Sequence, residues 1–445
     1  MSTTRRTLPS VANTCIKKER LQQTRRHVLT ACSFTAAHSL LSTRVTFAGG
    51  QGADRIRTSA LIQIDRVLRE ATRAQQVPGV VAMAATEGGV IYEGAFGSQN
   101  LPQGPIVSRD TVFRIASMIK LVTSIAAMQL VEKGKIALDE PVPEIDPALS
   151  SPQVLTGFDA AGVPHLRPAS RSITLRHLLT HTAGFSYRLW DLDALHYVHA
   201  VANLPARERT RFPRSPLMFD PGARWQYGSN IDWVGRLVEA VSGERLDKYF
   251  LKHILGPLGM ANTGFFLSPS QRSRQAQVYR RQPDGRLIPE PFEKQVASIS
   301  GGGGLYSTAV DYLTLIRMLL QGGQLNGVRL LREETVALMS RNQIGDLEAG
   351  VLKTTNRVLS DDVDFFPHIR LRWSLGHMIN MDPGPHGRSA SSLTWAGLFN
   401  TYYWIDPVKR VAAVFMTQVL PFADRLVLSL YGQFERGIYS AVNAE

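Results

Sequence analysis

The chain has 445 residues, 44% of them hydrophobic, with a formal net charge of +13. That length supports a sizeable core and two or three domains or lobes, and no run of eighteen apolar residues is present to span a membrane. Residues 1–48 hold eight basic residues and one acid, while the rest holds 42 basic and 36 acidic residues without a long basic run, so charge gives no support to nucleic-acid binding.

The first 48 residues do not read as part of a fold. Arg25 and Arg26 precede a weakly apolar stretch from Ala31 to Leu41, then Arg44 and the small-residue segment Thr46-Phe47-Ala48. This resembles a twin-arginine export signal, which implies a periplasmic or exported protein; the alternative is a disordered basic tail on a cytoplasmic one. Leu29-Thr-Ala-Cys32 lacks the preceding apolar segment that lipidation requires. Both cysteines, Cys15 and Cys32, fall in this leader, so the remainder has no thiol for catalysis, disulfides or zinc.

From Thr58 to Gln76 the pattern predicts a helix, followed by a Val77-Pro-Gly79 turn. Residues 80–85 and 90–96 read as two strands of a hairpin around Glu87-Gly-Gly89. A helix from Ala116 to Lys133 comes next, with apolar positions at Ile119, Val122, Ile125, Ala126 and Leu130 and a stop at Gly134. Residues 139–295 are rich in Pro, Arg and short helical patterns and read as a mostly helical lobe. Strand signals return at 371–375, 391–395, 400–405 and 411–417, before a last helix from about Phe422 to Val442. The expectation is an α+β fold: an antiparallel sheet flanked by helices, built from residues 55–138 and 296–442, plus the helical lobe at 139–295.

Ser117 is followed by Lys120 at the start of the first buried-looking helix, and no other of the ten lysines has a serine three positions before it. A serine hydroxyl is a weak nucleophile until a base takes its proton, and a lysine one turn away shares its helix face. The positive end of the helix dipole and the apolar neighbours Ile119 and Leu121 favour the neutral, basic form of that lysine. The competing reading is a capping serine beside a solvated lysine.

Two further segments bear on the choice. Asp220-Pro-Gly-Ala-Arg-Trp-Gln-Tyr227-Gly-Ser-Asn230 places a tyrosine at a loop–helix junction, where core packing is the plainer role. Thr394-Trp395-Ala396-Gly397-Leu398 lies on a late strand whose small residues would let a substrate lie along its edge. The run Ser300-Gly-Gly-Gly-Gly304 reads equally as a flexible loop or as backbone approaching a ligand; Thr308-x-x-Asp311 after it resembles a capping box.

In this order the segments resemble the serine β-lactamase and penicillin-binding-protein superfamily, in its class C-like branch with the family VIII carboxylesterases. Phe113-Arg-Ile-Ala-Ser117, Ile173-Thr-Leu-Arg-His-Leu-Leu-Thr-His-Thr-Ala-Gly184, Gly301-Gly-Gly-Gly-Leu-Tyr-Ser-Thr308 and Trp404-Ile-Asp-Pro407 extend the likeness across about residues 55–440. The resemblance implies a β-lactamase/transpeptidase-like fold, Ser117 as nucleophile, Lys120 as its base partner and Tyr227 in proton shuttling. It also implies an oxyanion hole from the N–H groups of Ser117 and Leu398, with Ser229, Trp395, Ala396 and Gly397 against the substrate. Ser229 stands where the family's Y-x-N motif has Asn. Trp395 stands where β-lactamases carry the substrate-binding lysine of K-T-G, which suits neutral acyl esters better than anionic lactams.

The function expected is a serine hydrolase acting through an acyl-enzyme, foremost a carboxylesterase on small or medium acyl esters, with no cofactor. The alternatives are β-lactamase, D-amino-acid peptidase, amidase or acyltransferase activity with the same residues, or a non-catalytic binding protein. The partner expected is a small acyl ester or amide. No G-x-S-x-G, H-E-x-x-H, P-loop or dinucleotide fingerprint is present, and His177 with His181, like His196 with His199, reads as structural rather than as a metal site.

Overall fold

The computed structural model describes residues 56–142, 147–291 and 299–442; the paired-arginine leader and both cysteines lie outside them. Helix α1, Thr58–Arg73, buries Ile64, Leu68, Ala71 and Thr72, the spacing of one apolar face. It ends three residues before the expected Gln76 because Gln75 takes a left-handed φ of 53°, which few side chains tolerate inside a helix. Strands β1, Gly79–Thr86, and β2, Gly89–Gly97, form the expected hairpin, with Val80 opposite Phe96 and Met83 opposite Glu93.

Five late strands complete the sheet: β3 Leu371–Trp373, β4 Met378–Asn380, β5 Leu393–Gly397, β6 Thr401–Asp406 and β7 Val411–Met416. The order is β3-β4-β5-β6-β7-β1-β2, antiparallel throughout. The first and last segments of the sequence thus share one sheet, as the pattern predicted. Three-residue β4 was too short to show a period. Strand β5 starts at Leu393 rather than Ser391, because Ser391 has φ 66° and turns the chain into the strand.

Helix α2, Ile119–Glu132, follows a single 3₁₀ turn over Ala116–Met118 and packs against α3, Asn230–Ser242. Every residue from Ile119 to Leu130 is buried. The helix therefore runs through the interior instead of presenting one face to water. Helix α4, Ala309–Leu320, starts with the Thr308 side chain accepting the Asp311 N–H at 3.2 Å. The Asp311 carboxylate does not close the box, because it accepts from Asn262 and Thr263 instead. Helix α5, Arg425–Val442, begins later than Phe422, after Ala423 at φ 59°, with Asp424 capping Val427 N–H at 3.0 Å. Tyr403 meets Tyr312 of α4 on one face of the sheet, and Tyr402 and Trp404 meet Tyr431 of α5 on the other. Helices therefore cover both faces.

Within the stretch expected to be mostly helical, 153–158 and 164–168 form a hairpin, and 279–281 pairs with 287–289. The Asp159 carboxylate accepts the N–H groups of Ala161 and Val163, which makes the turn; Pro164 and Pro168 disfavour a helix beyond it. Among the described residues no helix is long and apolar enough to cross a membrane.

Candidate active site

The short strand Phe113–Arg114 pairs with Tyr306–Ser307, and Ile115 N–H donates to Leu305. The next residue, Ala116, is left-handed at φ 42°, a conformation that costs a non-glycine residue about 1–3 kcal/mol and recurs beside functional groups. This bend places Ser117 in the 3₁₀ turn and Lys120 in the first turn of α2. The turn is held by the Tyr312 hydroxyl donating to the Met118 carbonyl at 2.9 Å.

Lys120 is 2% exposed, so solvation of its head group is replaced by three oxygens. Its Nζ donates to Gly302 O at 2.7 Å, to Ser117 Oγ at 3.1 Å and to the Tyr187 hydroxyl at 3.4 Å. A lysine this enclosed keeps its polar partners at a large desolvation cost if any is lost. The glycine run now has a packing reason. A Cβ on Gly301 would lie 2.4 Å from Ile231 O, and one on Gly302 would strike the Asp232 carboxylate. Gly301 O accepts from Thr123 at 2.8 Å. These glycines bring backbone against α2 and α3.

Tyr187 was not singled out from sequence. Its hydroxyl donates to Asp232 Oδ2 at 2.9 Å while receiving from Lys120, and Ser300 donates to the other oxygen of Asp232. Although the ring is partly exposed, desolvation around the hydroxyl first, and the Asp232 carboxylate second, push its ionisation well above the usual tyrosine range. It follows directly on the quoted His181-Thr-Ala-Gly184 segment, as Phe185-Ser-Tyr187, and that adjacency is the one sequence signal that could have found it.

Tyr227 is buried and its ring lies against Lys120, with Nζ 5.1 Å from the centroid. Its hydroxyl accepts from Trp395 Nε1 at 3.1 Å. Trp395 packs on Tyr227 and Trp373 at centroid distances of 4.7 and 4.6 Å, and Trp190 reaches Tyr227 at 5.4 Å. Trp395 therefore supplies a hydrogen-bond donor as well as the expected apolar wall. The structure brings Ser117, Lys120, Tyr187 and Tyr227 together, with the lysine bonded to Ser117 Oγ, the Tyr187 hydroxyl and Gly302 O and in contact with the ring of Tyr227.

Ala396 is buried in β5. A Cβ on Gly397 would lie 2.3 Å from Ile115 O, so this glycine lets the strand close on the segment that carries Ser117. Leu398 follows directly. Strand β4 pairs with β5 only at Leu393 and Thr394, which leaves the outer edge of Trp395–Gly397 without a strand partner among the described residues. Ser229 precedes α3, makes no capping bond and lines a cavity of about 790 Å³ with Tyr187 and Trp233. Its neighbour Asn230 is buried and donates to His181 Nδ1 and Phe185 O, holding the loop that leads to Tyr187.

The histidines have local duties. His177 completes a capping box with Thr174, and His196 stacks on Phe158. Burial first, then the Lys120 charge, hold the His181 ionisation well below the usual histidine range. Among the described residues no group of three His, Cys, Asp or Glu is arranged to hold a metal ion.

A serine hydroxyl bonded to a buried lysine, beside two tyrosines and below a strand edge, is the equipment of an enzyme that moves acyl groups through serine. A sequence profile of the Beta-lactamase family matches residues 64–432, and the chain belongs to that family. It is 33% identical over 407 residues to ML-236A carboxylate methylbutanoyltransferase of Penicillium citrinum, covering 85% of this chain and 94% of the relative. It is 30% identical over 407 residues to lovastatin esterase of Penicillium rubens, covering 86% and 99%. The unliganded simvastatin synthase of Aspergillus terreus superposes with a TM-score of 0.76 at 32% identity, covering 87% of this chain and 99% of that one.

Proposed function

We propose that the protein transfers a small or medium acyl group from an ester through Ser117 to an alcohol, with water as the competing acceptor. The observation that carries this is the buried Lys120 Nζ bonded to Ser117 Oγ inside an aromatic enclosure. The relatives support it, because one is named a carboxylate methylbutanoyltransferase and another a lovastatin esterase. Transfer thus takes precedence over the plain carboxylesterase expected from sequence, which becomes the branch in which water wins.

In the first half-reaction Ser117 Oγ attacks the carbonyl carbon as its proton passes to a lone pair on Lys120 Nζ, which then holds the three protons that Gly302 O, Ser117 Oγ and the Tyr187 hydroxyl are placed to accept. The alkoxide that develops on the carbonyl oxygen is met by the N–H groups of Ser117 and Leu398, an arrangement that lowers such barriers by several kcal/mol. Collapse expels the alcohol, which takes a proton from the lysine–tyrosine group. In the second half-reaction an acceptor hydroxyl gives its proton to the same group and attacks the acyl carbon; the bond from that carbon to Ser117 Oγ breaks, and the proton is returned to Oγ. Trp395 in place of a strand cation leaves a neutral wall beside the acyl group.

The experiment is partitioning of p-nitrophenyl butyrate with and without added butanol, alongside nitrocefin. Butyl butyrate formation, faster nitrophenol release with the ester than any opening of nitrocefin, and loss of both ester reactions in Ser117→Ala are expected. Hydrolysis alone at every alcohol concentration would reduce the proposal to an esterase, and preferential nitrocefin turnover would overturn the argument from Trp395.

A further inference from the structure

Asp232 closes a ring of hydrogen bonds that begins and ends at Lys120. One arm runs from Lys120 Nζ to the Tyr187 hydroxyl at 3.4 Å, and that hydroxyl donates to Asp232 Oδ2 at 2.9 Å. The other runs from Nζ to Gly302 O at 2.7 Å. It continues through the Gly302 N–H, which donates to Ser300 Oγ at 3.1 Å, and closes where Ser300 donates to Asp232 Oδ1. Asp232 sits in the first turn of α3, where the helix dipole favours a carboxylate. Gly302 lets it approach, because a Cβ there would lie 2.3 Å from Asp232 Oδ2.

The ring has a direction. A carboxylate and a backbone carbonyl only accept, and a tyrosine hydroxyl has one proton to give. Asp232 takes the Tyr187 proton, so the tyrosine turns a lone pair to Nζ, as Gly302 O does. Desolvation first, then Asp232, hold the Tyr187 ionisation well above the usual tyrosine range, which keeps that proton in place. A neutral lysine has two N–H groups and one lone pair. Both N–H groups are drawn to Tyr187 and Gly302, and the lone pair is left facing the third oxygen, Ser117 Oγ, 3.1 Å away. Without the carboxylate, the Tyr187 hydroxyl is free to turn and give its proton to that same lone pair. We infer that Asp232 is a positioning residue: through Tyr187 it reserves the Lys120 lone pair for the Ser117 proton. This rests on the acyl-transfer reading above and names what orients its base. In the step so prepared, the Oγ–H bond of Ser117 breaks as an N–H bond forms on Nζ, and Oγ bonds to the carbonyl carbon. Asp232 touches neither the substrate nor the moving proton.

The test is a double-substitution cycle in the full chain, with p-nitrophenyl butyrate as donor and rates taken per folded molecule. D232A removes the acceptor and is measured alone and together with Y187F. The quantity read is kcat/KM, which reports formation of the acyl-enzyme from free enzyme and donor. Alone, D232A is expected to lower it by about tenfold or more, the scale of one hydrogen bond to a charged group. In the Y187F background the same substitution is expected to cost less than about twofold, because the competing hydroxyl is already gone. A residue that merely packed α3 would cost the same in both backgrounds. Equal cost in the two backgrounds, or an unchanged kcat/KM in D232A, therefore overturns the inference and leaves acyl transfer standing. Should D232A not fold, D232L, which fills the space and cannot accept a proton, carries the same cycle with the same outcomes. Absence of donor turnover by the wild type instead overturns the acyl-transfer reading itself, and the role of Asp232 falls with it.

Discussion

The indole N–H of Trp395 donates to the hydroxyl of Tyr227 across 3.1 Å, tying β5 to the loop that enters α3. Trp395 thereby orients the tyrosine whose ring covers Lys120. Trp395→Phe keeps an aromatic wall and removes only the donor. Loss of one neutral hydrogen bond, about 0.5–1.5 kcal/mol, predicts a roughly two- to twelvefold fall in kcat/KM for p-nitrophenyl butyrate. Unchanged kinetics would show that the bond has no part in turnover.

Tyr187 links Lys120 to Asp232, and Tyr187→Phe cuts that link without emptying the space. Hydrogen bonds to charged groups contribute about 1.5–3 kcal/mol, so kcat should fall roughly ten- to 150-fold. Because desolvation and Asp232 raise the ionisation of Tyr187, its hydroxyl stays protonated up to and beyond the usual value of about 10. Any alkaline limb in the kcat profile below that pH should therefore persist in the variant. Its disappearance would assign the limb to Tyr187 and contradict this description.

Gly397 is the contact that seats β5 on the Ser117 segment. An alanine Cβ would stand 2.3 Å from Ile115 O and 2.4 Å from Thr401 Oγ1, and the first of these is backbone that cannot swing away. Overpacking of this kind costs about 1–3 kcal/mol. Gly397→Ala should lower the urea midpoint and reduce kcat by more than the loss of folded protein explains. Activity per folded molecule equal to wild type would separate Gly397 from the site.

Acid should destabilise the fold partly through buried histidines. Burial pushes the His377 ionisation down to about 3, and its ring nitrogen Nδ1 lies 3.0 Å from the Tyr403 hydroxyl. In the unfolded chain the same group titrates near 6.5. Between these values the unfolded state holds the extra proton, so stability falls as pH drops through that window and is unaffected above it. His181 acts in the same direction, its ionisation lowered by burial and then by Lys120. Urea unfolding from about pH 7 to pH 5 should show a smaller loss of stability in His377→Gln than in wild type, each such histidine contributing at most ~1.4 kcal/mol per pH unit. Parallel curves would contradict the buried-neutral assignment.

What could be read in advance divides along physical lines. The β1–β2 hairpin, the late strands and the Ser117–Lys120 spacing are local patterns, legible from period and turn residues. The short β4 and the hairpin at 153–168 are not, because a few residues carry no period and an Asx turn looks like any polar loop. At the site, Tyr187, the Gly302 carbonyl and Asp232 reach Lys120 or its partner from 45 to 182 positions away. Only tertiary packing makes them neighbours. The glycine run illustrates the difficulty most clearly: sequence left a flexible loop and a ligand contact equally open, and the structure gives Gly301 and Gly302 a third role, close packing against α3 with a carbonyl turned to the lysine.

The most direct test of the account is the fate of Ser117 during turnover. Rapid acid quench during the reaction with p-nitrophenyl butyrate, followed by peptide mass spectrometry, should find a butyryl group on the peptide carrying Ser117 and on that residue within it. The adduct should be absent from Ser117→Ala and should decay faster when an acceptor alcohol is added. Turnover with no acyl adduct at Ser117, or an adduct on another residue that persists in Ser117→Ala, would contradict acyl transfer through this serine.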